Sequence, residues 1–261
     1  MFSLFQISLY SMRDILYQNG KYWSSYNFVS DKRAPKYTLN NYSTLYYMPE
    51  LTDFSENRNT LSIIINELTH DPAYLQYPDY TFEAEITNTG KDFFDDIRSH
   101  KLYHTFASSL LLLTKWFDYL RENDAWDNTR IIIVADHGDS KTKNPDFSEF
   151  QETHILPYAP ILLFKDFGES ENLKTDEQFM TTADVPFLAM KEIISDPVNP
   201  FTGKILKTEK KDSINIFLGG TTNVADYQGI SCIDDDSPFY HVVHPMMDSN
   251  NWQEVKYRDI K

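Results

Sequence analysis

Arg130-Ile131-Ile132-Ile133-Val134-Ala135-Asp136-His137-Gly138-Asp139 places four β-branched aliphatics in a row, with no polar alternation. Such a run predicts a strand buried on both faces, as in a parallel sheet inside an α/β layer. It stops abruptly at Asp-His-Gly, three residue types that continue strands poorly. In open α/β sheets, ligands bind in the crevice beyond the carboxyl ends of the strands. A carboxylate and an imidazole there, followed by a glycine that lets the backbone turn sharply, amount to half of a divalent-metal site. A plain strand-closing turn uses the same residue types, so the surrounding chain has to separate the two readings.

With 261 residues, 24% charged and 41% hydrophobic, the chain has a globular composition and is long enough for one large domain. Its 17 Tyr and 18 Phe suit a packed interior together with a cleft tolerant of carbohydrate or lipid. The net charge of −15 argues against a nucleic-acid partner, which needs a basic surface. It also disfavours an anionic membrane surface, and an acidic protein that handles anionic groups needs a metal to reverse the local sign. The single cysteine, Cys232, excludes an intrachain disulfide and a cysteine-based zinc cluster. The most apolar N-terminal piece, Met1 to Met12, is too short and too interrupted for a transmembrane helix, and it lacks the features of a signal peptide.

Upstream, residues 1–59 read as an irregular lead-in, with a short helix at Ser11 to Tyr17 and irregular or β structure at Thr38 to Tyr47. Thr60-Leu61-Ser62-Ile63-Ile64-Ile65-Asn66 predicts a second buried strand, stopped by Pro72 and leaving His70 near its end. A hydrogen-bonded loop histidine is the alternative role for His70. Leu102, Phe106, Leu110, Leu113, Phe117 and Leu120 recur at helical spacing, so Ile97 to Glu122 is one long helix ended by Asn123-Asp124. His104 reads as a packed residue on it and Asp118 as a solvated one. Strand, helix and strand together predict a right-handed βαβ unit.

Downstream, residues 139–153 read as a polar surface loop, and Ile161 to Lys165 as a third apolar strand. Asp184 before Val185-Pro186 is a helix start, with Phe187 to Ile194 continuing it. Ser213 to Leu218 predicts a strand; Phe239 to Val243 and Trp252 to Tyr257 predict a terminal hairpin or small antiparallel sheet containing His241 and His244 in structural roles. The run Asp234-Asp235-Asp236 reads as a solvated loop, with calcium binding as the alternative. The fold expected is α/β: a mostly parallel central sheet flanked by helices over residues 60–210, with a C-terminal antiparallel β element over 211–261, in a single domain.

His70, Asp136, His137 and His154 all fall at strand ends or loop starts on one expected edge of the sheet. Imidazole with carboxylate suits Zn or Mn, and a more oxygen-rich set suits Ca or Mg. No nucleotide-binding glycine loop and no G-x-S-x-G elbow competes with this reading.

Asp127-Asn128-Thr129 followed by the apolar run and Asp136-His137-Gly138 resembles the DNT…DHG segment of the alkaline phosphatase superfamily. The sulfatase branch, with the lipoteichoic-acid synthases and phosphoethanolamine transferases, is the most similar part of it. The helix bearing Asp118 and Leu120 resembles that family's helix leading into the metal strand. Thr69-His70-Asp71-Pro72 is similar to its T-H-x-P segment, and His154-Ile155-Leu156-Pro157-Tyr158-Ala159-Pro160 to its H-x-x-P-Y…A-P segment. The resemblance spans roughly residues 60 to 190.

The resemblance implies a metal-dependent hydrolase or transferase acting on phosphate or sulfate esters. Asp136 and His137 would hold the divalent ion (Mn, Zn, Ca or Mg), and His70 and His154 would bind the transferred group, orient or protonate the leaving group, or hold a second ion. It also implies an anionic ester substrate, with a lipid headgroup or glycan as its organic part, and a parent protein on the extracytoplasmic face of a bacterial membrane. The family's upstream acidic ligand and its Thr, Ser or Cys nucleophile have no counterpart in residues 1–59, and no C-x-P-x-R signature occurs. The expectation is therefore a C-terminal part of such an enzyme, without its nucleophile. The alternative is a non-catalytic module of the same fold that binds a glycan or lipid headgroup.

Overall fold

Thr38, Tyr42, Leu45 and Met48 stand at spacings that bring them onto one stripe of a helix, and Thr38, Leu45 and Met48 are buried. In the computed structural model that stripe belongs to helix α1, Lys36–Tyr46, continued by the short helix α2, Met48–Leu51. Sequence propensity pointed to irregular or β structure here, because Thr, Asn, Tyr and Ser form helices weakly; packing of the stripe overrides that preference. The structure describes residues 36–54, 59–70, 75–76, 79–82, 97–138, 156–208, 210–218, 234–246 and 248–261. The helix expected at Ser11 to Tyr17 and the loop expected at 139–153 lie outside them.

The chain divides into two compact units, one of Met1–Phe93 with His100–Trp116, the other of Phe94–Ser99 with Phe117–Lys261. In the first, Leu45, Met48, Leu68, Leu75 and Leu112 form the core, with Tyr42, Leu113 and Trp116 packed against it. Fully burying an aliphatic side chain of this size contributes about 2 kcal/mol. The Trp116 indole N–H donates to Thr52 Oγ1 at 2.9 Å, and that hydroxyl donates to the Met48 carbonyl at 2.7 Å. The short strands β1, Leu75–Gln76, and β2, Thr81–Phe82, pair antiparallel.

Thr60–Asn66 is not a paired strand. Its residues have no ladder, and Leu61, Ile63 and Ile65 are 76%, 80% and 85% exposed. The buried strand expected there needs neighbours on both edges and both faces, and the described residues supply neither. Among the described residues only its end is anchored: Asn66 Nδ2 donates to the Asn41 carbonyl at 2.9 Å, and Glu67 N–H to Asn41 Oδ1 at 3.0 Å. These bonds seat Leu68 in the core. The βαβ unit therefore lacks its first strand.

Helix α3 runs Ile97–Glu122, the expected bounds. Its buried line passes through His104, Thr105, Ser108, Ser109, Leu112 and Leu120, so the packed face is richer in small polar residues than the leucine stripe implied. His104 is packed, and the exposed Asp118 pairs with Arg121 at 2.8 Å. Asp124, with φ +54°, turns the chain out of the helix, and Ala125 N–H returns to the Leu120 carbonyl at 2.9 Å.

In the second unit, strands β3, Ile131–Val134, and β4, Leu162–Lys165, pair antiparallel, Ile131 opposite Lys165 and Val134 opposite Leu162. Every strand pairing among the described residues is antiparallel. The α/β character is observed, whereas these pairings provide no parallel sheet. Nor is β3 buried on both faces: its first three residues are half-buried and Val134 is exposed. Helix α4, Val185–Met190, begins after Asp184 with a proline in its first turn and ends short of the expected Ile194. Strands β5, Ser213–Phe217, β6, Pro238–Val243, and β7, Trp252–Lys256, form the expected C-terminal antiparallel sheet in the order β5-β6-β7.

Candidate metal centre

Beyond Val134 the ladder continues for one more rung, with Ala135 N–H donating to the Ile161 carbonyl at 3.1 Å. The two chains then stay together through Gly138 N–H, which donates to the Pro157 carbonyl at 2.8 Å. Asp136 and His137 therefore leave the strand at an edge whose other side is the segment from the 3₁₀ turn Leu156–Tyr158 to Ile161. Both side chains face solvent, Asp136 at 90% and His137 at 65% exposure.

Asp136 Oδ1 accepts the His137 backbone N–H at 3.0 Å, which fixes the carboxylate and leaves Oδ2 outward. His137 Nδ1 lies 2.7 Å from the Gly138 carbonyl. A carbonyl can only accept, so Nδ1 carries the proton, and in the neutral ring Nε2 keeps its lone pair. Nε2 and Asp136 Oδ2 stand 3.8 Å apart. A cation at the usual distances of about 2.0–2.2 Å from both would subtend roughly 120–140° between them, within reach of a distorted tetrahedral or five-coordinate site. The donor set fits an ion, with the Gly138 carbonyl acting on the imidazole as orienting groups do behind metal-bound histidines.

The other expected members divide. His70 belongs to the first unit, where the turn it closes is held by its N–H bond to the Glu67 carbonyl at 3.1 Å, and its side chain is exposed. His154 lies outside the described residues. Among the described residues no group of three or more His, Cys, Asp or Glu side chains is placed to hold a metal. The structure thus brings together Asp136 and His137.

The base of β3 is held by groups that sequence reasoning passed over. Arg130 donates from Nε and Nη2 to Asp166 Oδ1 at 2.9 and 2.6 Å. Its Nη1 reaches the carbonyls of Leu188, Ala189 and Lys191, closing the C-terminal end of α4. Burial alone would raise the Asp166 carboxyl; the Arg130 bonds, the Phe167 N–H and Lys191 outweigh it and hold the group below the usual carboxylate range. Lys165 donates to the Trp126 and Thr129 carbonyls at 2.5 and 2.9 Å, tying the Asp-Asn-Thr turn to β4. Burial lowers its pKa despite nearby carboxylates. The available signal was a charge at the outer end of each strand, Arg130 before β3 and Asp166 after β4.

The remaining candidates have structural partners. His241 Nδ1 meets Asn215 Oδ1 at 2.7 Å, and His244 Nε2 meets the Glu177 carbonyl at 2.8 Å. In the acidic run, Asp235 pairs with Lys261 at 2.5 Å, and Asp236 pairs with Lys256 at 2.9 Å and Arg258 at 3.1 Å. No helix among the described residues is long and apolar enough to cross a membrane. No protein-family model, curated protein or solved structure matches the chain.

Proposed function

We propose that this chain carries half of a divalent-metal site of a sulfatase-like hydrolase or transferase acting on phosphate or sulfate esters. The observation that carries it is the pairing of Asp136 Oδ2 with the lone-pair nitrogen of His137 at 3.8 Å, on an exposed strand-end loop. A bound ion would polarise a phosphoryl or sulfuryl oxygen and lower the pKa of a coordinated hydroxyl. Asp136 supplies charge, His137 supplies Nε2, and the Gly138 carbonyl keeps the ring in the required tautomer. His70 and His154 are the groups proposed to bind the ester or protonate its leaving oxygen. An extracytoplasmic location and a lipid- or glycan-linked ester belong to the same proposal.

Titration calorimetry of the full chain with Mn²⁺, Zn²⁺ and Ca²⁺ tests this. One ion should bind, and Asp136→Ala or His137→Ala should abolish the heat without shifting the thermal midpoint. Uptake that survives both substitutions would remove the metal assignment and leave the non-catalytic binding module. Turnover of p-nitrophenyl phosphate or sulfate in the metal-loaded protein would show in addition that this chain holds its own nucleophile.

A further inference from the structure

Between α4 and β5, Asn199-Pro200-Phe201-Thr202-Gly203-Lys204 forms the tip of a short hairpin, and its aromatic ring stands in water. Phe201 is 95% exposed, the highest value among the large apolar side chains of the described residues. The legs of the hairpin are joined by the antiparallel pair Val198 and Ile205, both exposed, and by the Leu206 N–H bond to the Pro197 carbonyl at 2.6 Å. Pro197 is buried and seats the base. The tip is held from within. Asn199 Oδ1 accepts the N–H groups of Phe201 and Thr202 at 2.9 and 3.2 Å. The Gly203 N–H reaches the Asn199 carbonyl, and the Asn199 N–H reaches the Lys204 carbonyl, both at 2.8 Å. The Lys204 N–H turns back to Thr202 Oγ1 at 3.4 Å, and Pro200 has no N–H to place. Every backbone donor from Asn199 to Lys204 is thus bonded inside the turn, and only the Phe201 ring is left without cover.

Irregular backbone enters the edge of a lipid layer at low cost only where its polar groups are satisfied internally, as these donors are. The charge around the tip has the matching sign. From Pro197 to Thr208 the chain carries Lys204 and Lys207, both exposed, and no acidic residue, although Asp and Glu number 39 in the whole sequence. Charges farther away than about 8–10 Å are screened at physiological salt, so lysines beside a surface outweigh the acidic remainder of the chain there. A protein pocket could also take a ring, but a tip with all its donors used offers such a partner no main-chain bonds to read.

We propose that the 197–206 hairpin is a membrane-contact tip. Phe201, with Val198 and Ile205 behind it, enters the acyl boundary of an anionic bilayer while Lys204 and Lys207 meet the headgroups. An apolar apex and a pair of lysines are each a weak signal, and together they give reversible attachment. This contact is independent of the metal reading above.

Sedimentation of the full chain with sucrose-loaded vesicles at physiological salt tests this. Wild type should pellet with vesicles of phosphatidylcholine and phosphatidylglycerol mixed three to one, and roughly tenfold more weakly with phosphatidylcholine alone. Phe201→Ser should weaken binding to the mixed vesicles by about tenfold or more, with an unchanged thermal midpoint. Phe201→Leu should bind within about threefold of wild type, because a lipid layer accepts any apolar side chain whereas a pocket shaped for a ring does not. Lys204→Gln with Lys207→Gln should reduce binding to the level seen with phosphatidylcholine alone. Wild type that stays in the supernatant, or that pellets equally well without vesicles, overturns the proposal. So does vesicle binding that survives Phe201→Ser, which would put the contact elsewhere on the chain.

Discussion

Arg130 and Asp166 face each other across one rung beyond the β3–β4 ladder, joined at 2.6 Å, with the Arg130 side chain only 5% exposed. That pair closes the outer end of the antiparallel β3–β4 ladder. With Ile131 opposite Lys165, the next residues outward are the guanidinium and the carboxylate, and the remaining Arg130 donors close the end of α4. Removing one partner of a buried ion pair typically costs about 3–5 kcal/mol, since the other charge stays desolvated. Arg130→Ala should lose roughly that much in urea unfolding. Arg130→Lys should recover little of it, because one ammonium cannot serve both Asp166 and the helix carbonyls.

Asp184 supplies the pH dependence. Burial by itself would raise this carboxyl, but Lys211 at 2.5 Å and both donors of Thr181, at 2.8 and 3.0 Å, prevail and hold it below the usual range. A carboxylate whose folded pKa is depressed stabilises the fold above its unfolded value, about 3.9, and loses that contribution as pH falls through the folded value. Urea midpoints of wild type and Asp184→Asn should therefore differ most near pH 7 and converge below about pH 4. A gap that widens on acidification would reverse the assigned direction.

Helix α3 and the three C-terminal strands were legible in the sequence because each carries a long or regular apolar pattern closed by turn residues. Helix α1 was not: apart from two leucines and a lysine it is written in Tyr, Thr, Asn and Ser, residues of weak helical preference, and packing of its buried stripe selects the helix. Strand direction was equally hidden. Ile131–Val134 and Ile161–Phe164 are unbroken apolar runs, and such a run reads the same in a parallel or an antiparallel sheet. The flanking charges resolve it, and they carry meaning only once the register is known. Asp136 and His137 could be found by residue type and position after a strand. The tautomer that frees Nε2 depends on the Gly138 carbonyl, a backbone geometry no residue pattern encodes.

Gly168 follows β4 with φ +69°, and its N–H donates to the Asp127 carbonyl at 2.9 Å, joining the turn after β4 to the Asp-Asn-Thr turn before β3. Nothing crowds a methyl group at this position, so the cost of Gly168→Ala comes from the left-handed backbone alone, about 1–2 kcal/mol. Gly203, at φ +67° and equally open, should behave alike. Thermal unfolding of the two single variants should give similar losses, and no loss at Gly168 would mean that the turn relaxes freely.

The uncharged run Leu61–Ile65 leaves more apolar side chain in water than any other short stretch of the described extended chain. Neutral β-branched segments without proline are prone to add to other strand edges, and an inserted lysine opposes this. Because the segment stands in solvent, Ile63→Lys with Ile65→Lys should lower light scattering on heating and leave stability to urea within about 0.5 kcal/mol of wild type, the usual range for exposed sites. A stability lower by several kcal/mol would contradict the exposure of Ile63 and Ile65, since only a buried position makes a lysine that costly.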